Sequence, residues 1–227
     1  MTQALPKSRA HTRYRLADGT QVPGVTTITG LLDDGKSERL ARWANNLGLQ
    51  GIDSTRYRDA AADVGTCAHR LIQAHWQGED YNVVRRELAQ EYGEQTLSLA
   101  ENAAISYFEW EKQHRVQATF CERPMVSERY RYGGTCDFYG LVDGKRTLLD
   151  LKTGSGIWPE HVIQVAAYRQ MLREHGERVE RVIILNIPRK ESESFDAKWP
   201  SAKQLDAAWR IFRHLRVVYD LRKQVSA

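Results

Sequence analysis

The chain has 227 residues, 41% hydrophobic and 27% charged, with a formal net charge of +4. Such a chain can bury a proper core, its composition is ordinary for a globular protein, and its longest apolar runs, such as Val182–Leu185, are strand-sized, which excludes a membrane-spanning helix. The positive surplus is small, but arginine outnumbers lysine, which suits bidentate contact with a polyanion.

The opening MTQALPKSRAHTRYR is basic and lacks an apolar segment, so it reads as an arm or edge strand rather than a secretory signal or transit peptide. Two short strands are expected around the turn Ala17-Asp18-Gly19, followed by the β-branched run Val25–Ile28. SERLARWANNLG, from Ser37, predicts a short helix, and DAAADVGTCAHRLIQAHWQG a second that ends at Gly78. A long helical pattern runs from about Leu97 to His114. Trp43, Trp110 and Trp209 fall within helical patterns and are expected in the core, whereas His75 is expected to face solvent.

After Arg115 the texture changes. VQATFCERPMVS, YRYGGTCDFYGLV and RTLLDLK read as strands, the last two joined by the turn Asp143-Gly144. A helix opening near Pro159, the strand RVIILNI and a terminal helix complete a β-β-β-α-β-α order. That order predicts an α/β fold with a mixed sheet flanked by helices and a helical N-terminal elaboration. One domain over 1–227 is expected: hairpin and helices to about 115, a catalytic sheet core over about 116–190, and a C-terminal helix over about 201–223.

The stretch TLLDLKTG carries the chemistry. Alternation along a strand puts Asp150 and Lys152 on one face and Leu149 and Leu151 on the other. A half-buried carboxylate and ammonium are costly unless they pair or hold an ion, so a structural ion pair is the plain alternative to a functional site. Asp137, on the neighbouring hairpin strand, can converge with Asp150 on one point. Two carboxylates so placed repel unless a cation lies between them, and oxygen ligands suit Mg²⁺ or Mn²⁺ better than zinc. Lys152 would then act on an attacking water or on developing phosphoryl charge.

Asp137, Asp150-Leu-Lys152 and Gln164-Val-Ala-Ala-Tyr168 together resemble the PD-(D/E)XK nuclease superfamily, closest to its RecB-type, phage and CRISPR-associated exonuclease branch. VGTCAHRLI and VPGVTTITGLL are similar to that branch upstream, so the likeness spans roughly residues 22–187. The resemblance implies a restriction-endonuclease-like core. It implies a catalytic set of Asp137, Asp150, Lys152, Gln164 and Tyr168, and one or two Mg²⁺ or Mn²⁺ ions held by His69, Asp137, Asp150 and the Leu151 carbonyl. Glu122 is a looser match for an outer ligand, and Arg129, Arg131 and Lys145 are candidates for phosphate contact. Asp150 stands where the family more often has Glu. The three cysteines, Cys67, Cys121 and Cys136, imply reduced thiols and no iron–sulfur cluster.

The implied activity is a divalent-metal-dependent DNA exonuclease leaving 5′-phosphates on single strands or duplex ends, in recombination, repair or phage DNA processing. A recombination or replication protein would be its partner, with no membrane role, in a cytoplasmic, bacterial or phage-type setting. A structure-specific endonuclease and a non-catalytic nucleic-acid-binding module are the alternatives.

Overall fold

The computed structural model describes residues 12–33 and 35–226, so most of the basic N-terminal arm lies outside the described residues. The chain opens with β1 (Tyr14–Arg15) and β2 (Gln21–Val22), then α1 (Val25–Thr29), α2 (Lys36–Leu49), α3 (Ser54–Gln77), α4 (Tyr81–Tyr92) and α5 (Glu94–Glu111). The sheet region follows as β3 (Val116–Ser127), β4 (Tyr132–Val142), β5 (Lys145–Lys152), α6 (Pro159–Glu174), β6 (Arg181–Asn186) and β7 (Asp196–Lys198), and α7 (Ala202–Ser226) closes the chain. The five-stranded sheet has the order β3-β4-β5-β6-β7. Its β5 and β6 are parallel, as a crossover through α6 requires, and the other neighbours are antiparallel.

Local chemistry accounts for the boundaries. Asp53 caps α3 by accepting from the Thr55 and Arg56 N–H groups, and Gly78 ends it in the left-handed region at φ 68°. Asp80 caps α4 in the same way. Asp143 and Gly144, at φ 51° and 76°, make the tight turn that joins β4 to β5.

The two faces of the sheet bury separate cores. Phe138, Leu149, Leu151, Ile183 and Leu185 pack under α3, α4 and α5, whereas Tyr139, Leu148, Val182 and Ile184 pack under α1, α6 and α7. The mixed sheet with helices on both faces is the expected α/β architecture. Several local expectations need correction. Val25–Thr29 is a helical turn, α3 begins at Ser54, and α4 and the three-residue β7 went unanticipated. Trp110 is buried and Trp209 packs partly against the core, but Trp43 belongs to neither core and instead meets Tyr57 edge-on, ring centroids 5.9 Å apart. Its helix α2 is exposed along most of its length, so no layer exists there for the indole to enter.

Helices α3 to α5 lie on the sheet face opposite the one that carries Asp150. Helix α2 has contacts on both sides. Its Trp43 reaches Tyr57 on α3, Arg39 lies over the Trp158 ring at 5.9 Å, and Lys36 faces Glu160 on α6 at 3.7 Å. It thereby touches both helical layers, at the starts of α3 and α6.

Candidate active site

The β4–β5 ladder runs as far as Phe138↔Leu149. One step beyond, Asp137 and Asp150 stand opposite each other without a backbone pair. The gap is closed by the side chain: Asp137 Oδ2 accepts the Leu151 N–H at 2.8 Å. On the other edge of β4 the ladder skips Glu122, which lies between the pairs Cys121↔Phe138 and Arg123↔Cys136. Glu122 has φ 47°, a left-handed conformation costing a non-glycine residue on the order of 1–3 kcal/mol. The kink faces Glu122 and Asp137 toward one point.

That point also receives His69 from α3. Its Nδ1 lies 3.6 Å from Glu122 Oε1 and 3.8 Å from Asp137 Oδ2. Ligand atoms of His69, Glu122 and Asp137 all fall within 4.8 Å of one another, close enough to share a metal ion. Helix α3 can approach because residue 65 is glycine: a Cβ there would sit 2.6 Å from Thr153 Oγ1.

Asp150 is 1% exposed, and Lys152 Nζ lies 2.7 Å from its Oδ2. The intra-strand ion pair anticipated as the plain alternative therefore exists, but it leaves Asp150 Oδ1 buried with no hydrogen-bond partner. A buried carboxylate oxygen normally has a partner, and this one lies next to a second buried carboxylate. Burial is the main influence on Asp150 and raises its pKa to about 6, with Asp137 adding to the rise and Lys152 opposing it. Asp137 is also raised, first by burial and then by Glu122, against the pull of His69. Burial draws His69 and Lys152 down, yet the surrounding carboxylates outweigh it and leave both raised. The site thus holds more buried negative charge than its own cations settle. A hard divalent cation with oxygen and imidazole ligands fits this donor set, and it would also occupy the orphaned oxygen.

Gln164 and Tyr168 lie one helical turn apart on α6, with Gln164 Nε2 donating to the Tyr168 hydroxyl at 2.9 Å. The Tyr168 ring fills a notch left by Gly134, where a Cβ would lie 2.5 Å from it. Burial keeps the phenol protonated, well above its usual range. The remaining candidates are not brought to this point. Arg129 and Arg131 sit at the tip of the β3–β4 hairpin, and Lys145 begins β5 at the end opposite Lys152, about 23 Å along the strand.

Two neighbours escaped the sequence reading. Asn186, fully buried beside Lys152 in the β5–β6 register, donates to the carbonyls of Gly154 and Ser194 and so ties down the loop after Lys152. His161 accepts the Trp158 N–H at 3.1 Å, and burial, followed by Lys152, lowers its pKa to about 3. The Trp-Pro-Glu-His sequence carries that helix-start signal.

A mixed sheet layered by helices, with carboxylates, an imidazole and a lysine gathered where its central strands part, is a restriction-endonuclease-like fold. The chain belongs to the PD-(D/E)XK nuclease superfamily, whose family model matches residues 38–223. That superfamily uses divalent metals, and its substrates are nucleic acids.

Solved structures of similar shape include a candidate exonuclease from Eubacterium rectale, 13% identical, with a TM-score of 0.47 over 68% of this chain and 64% of that one. Another is SSO0001, also 13% identical, with a TM-score of 0.30 over 58% of this chain and 69% of that one. The chain thus spans under two thirds of the first neighbour's length. No curated protein matches the sequence. Among the described residues, no helix is long and apolar enough to cross a membrane.

Proposed function

We propose that this nuclease is a Mg²⁺- or Mn²⁺-dependent DNA exonuclease that hydrolyses phosphodiesters to leave 5′-phosphates. The observation that carries the hydrolytic reading is the meeting of His69, Glu122 and Asp137 within 4.8 Å, beside a buried Asp150 with an orphaned oxygen. Asp137, Asp150, His69 and Glu122 would hold the ion. The Leu151 carbonyl leaves the strand on the same edge as its N–H, toward Asp137, and is available as a further ligand. When bound, the ion supplies Lewis-acid charge beside the scissile phosphate.

The rest falls to the chain. Lys152, anchored by Asp150, places an ammonium where negative charge accumulates as water attacks. Tyr168 and Gln164, locked to each other, form a polar wall on the α6 side and hold a neutral hydroxyl near Asp150. Asn186 fixes the Gly154 loop so that Lys152 keeps its aim.

The preference for an end rests on α2. A helix touching both α3 and α6 favours a strand that enters by threading over a duplex lying in an open cleft. Circular single-stranded DNA and the same molecule linearised, each with Mg²⁺ or Mn²⁺, provide the test. The circle should resist while the linear form is degraded, and EDTA should stop degradation. Rapid cutting of the intact circle would establish the endonuclease reading instead.

A further inference from the structure

The proposed site uses none of the charge on α7. There, the β3–β4 hairpin tip and α7 enclose a groove of about 500 Å³ lined by Arg129, Arg131, Arg210, Arg213 and Arg216, with Tyr130 and Trp209 as its aromatic walls. The acid among the lining residues is Asp220, which pairs with Arg216 at 2.6 Å. The lining thus carries five arginines against one aspartate. Among the described residues, Arg129, Arg210 and Arg213 have no carboxylate within ion-pair distance.

The groove is organised. Arg216 Nε donates to the Arg131 carbonyl at 3.0 Å, which fixes the hairpin tip to α7 where Arg131 adopts φ 56°. Arg129 and Arg213 lie over the Tyr130 ring at 5.2 and 5.8 Å, and Tyr130 meets Trp209 edge-on at 4.9 Å. Stacking holds a guanidinium plane while its edge N–H groups stay free, an arrangement suited to bidentate phosphate contact. None of the groove's lining residues belongs to the cluster of His69, Glu122 and Asp137.

We propose that this groove is a second nucleic-acid contact, holding the phosphate backbone of the substrate away from the point of cleavage. The inference rests on the chain acting on nucleic acid, and it adds an anchoring surface that the catalytic cluster does not provide. Charge complementarity selects a polyphosphate backbone, and the arginine fork favours phosphate over an acidic protein's scattered carboxylates.

The test is equilibrium binding of fluorescent linear single-stranded DNA in EDTA across a KCl series, for the full chain and for its R129A/R213A variant, with thermal melting as the control for folding. Both side chains are exposed, so the melting temperature should hold. Each phosphate contact contributes about 0.7 to the slope of log affinity against log salt on a single strand, so the double variant should bind more weakly with a slope shallower by about 1.4. Parallel lines for the two proteins would overturn the groove while leaving the nuclease reading intact. Absence of salt-dependent binding by the unaltered chain would sink the nucleic-acid reading itself, and the groove with it.

Discussion

Lys152 and Asp137 occupy the same few ångströms yet should fail differently. The ammonium of Lys152 matters most once charge builds on the phosphate, so Lys152→Ala should bind DNA nearly as before while its cleavage rate falls by roughly a hundredfold or more. Asp137→Asn removes a charged ligand and should be more severe. Paired binding and single-turnover measurements separate the two, and near-normal turnover in Lys152→Ala would reduce TLLDLKTG to a structural ion pair. His69→Ala should keep its fold and raise the metal concentration needed for half-maximal activity by roughly tenfold to a hundredfold. An unchanged metal titration would make His69 a packing residue. The sequence shows Asp150 and Lys152 on one face because strand alternation is rigid, and it marks Asp137 through the hairpin turn. It does not show that Asp137 groups with Glu122 and His69 while Asp150 turns to Lys152. Glu122 enters that group from a left-handed backbone, and a left-handed glutamate leaves no mark in composition or periodicity.

At the level of elements, strong local signals were legible and weak ones were not. The Asp143-Gly144 turn, the long strands and the Pro159 helix start follow from backbone preferences of particular residues. Helix α4 did not emerge, because its buried positions Val84 and Leu88 are too few to set a clear period. Strand β7 is too short for any pattern. The β4–β5 turn offers a pH test. The Arg115 N–H, then the His114 side chain, hold the Asp143 carboxyl below its usual range. A carboxyl lowered in the folded state contributes stability above its unfolded pKa of about 3.9, and this is lost as pH falls through the lower folded value. Asp143→Asn keeps a residue that tolerates the left-handed turn. Its melting temperature should lie below that of the unaltered chain at pH 7, and the two curves should converge as pH is lowered beneath 4. A gap independent of pH would assign the effect to the turn rather than to the charge.

Taken whole, the molecule divides its sheet unequally. Strands β3 and β4 pair from Val116↔Val142 to Ser127↔Tyr132, whereas β4 meets β5 only from Val142 to Phe138. Beyond Asp137 the hairpin is a two-stranded cantilever projecting from a five-stranded plate, and Asp137 sits at the step in stiffness between them. Any rocking of the cantilever changes the width of the carboxylate gap. Its fastenings include the Tyr132 hydroxyl on the Ala167 carbonyl at 2.9 Å, the Tyr14 hydroxyl on Thr135 at 3.0 Å and the Gly133 N–H on the Pro23 carbonyl at 3.0 Å, besides the Tyr168 ring in the Gly134 notch, which belongs to the site itself. Mg²⁺ demands near-ideal octahedral geometry, whereas Ca²⁺ accepts looser and more variable shells. The fastenings should therefore tune ion choice as well as stability. Tyr132→Phe, costing about 1 kcal/mol in one hydrogen bond, should weaken Mg²⁺ more than Ca²⁺ in calorimetric titrations, and an equal loss for both ions would show that the cantilever's rocking never reaches the gap.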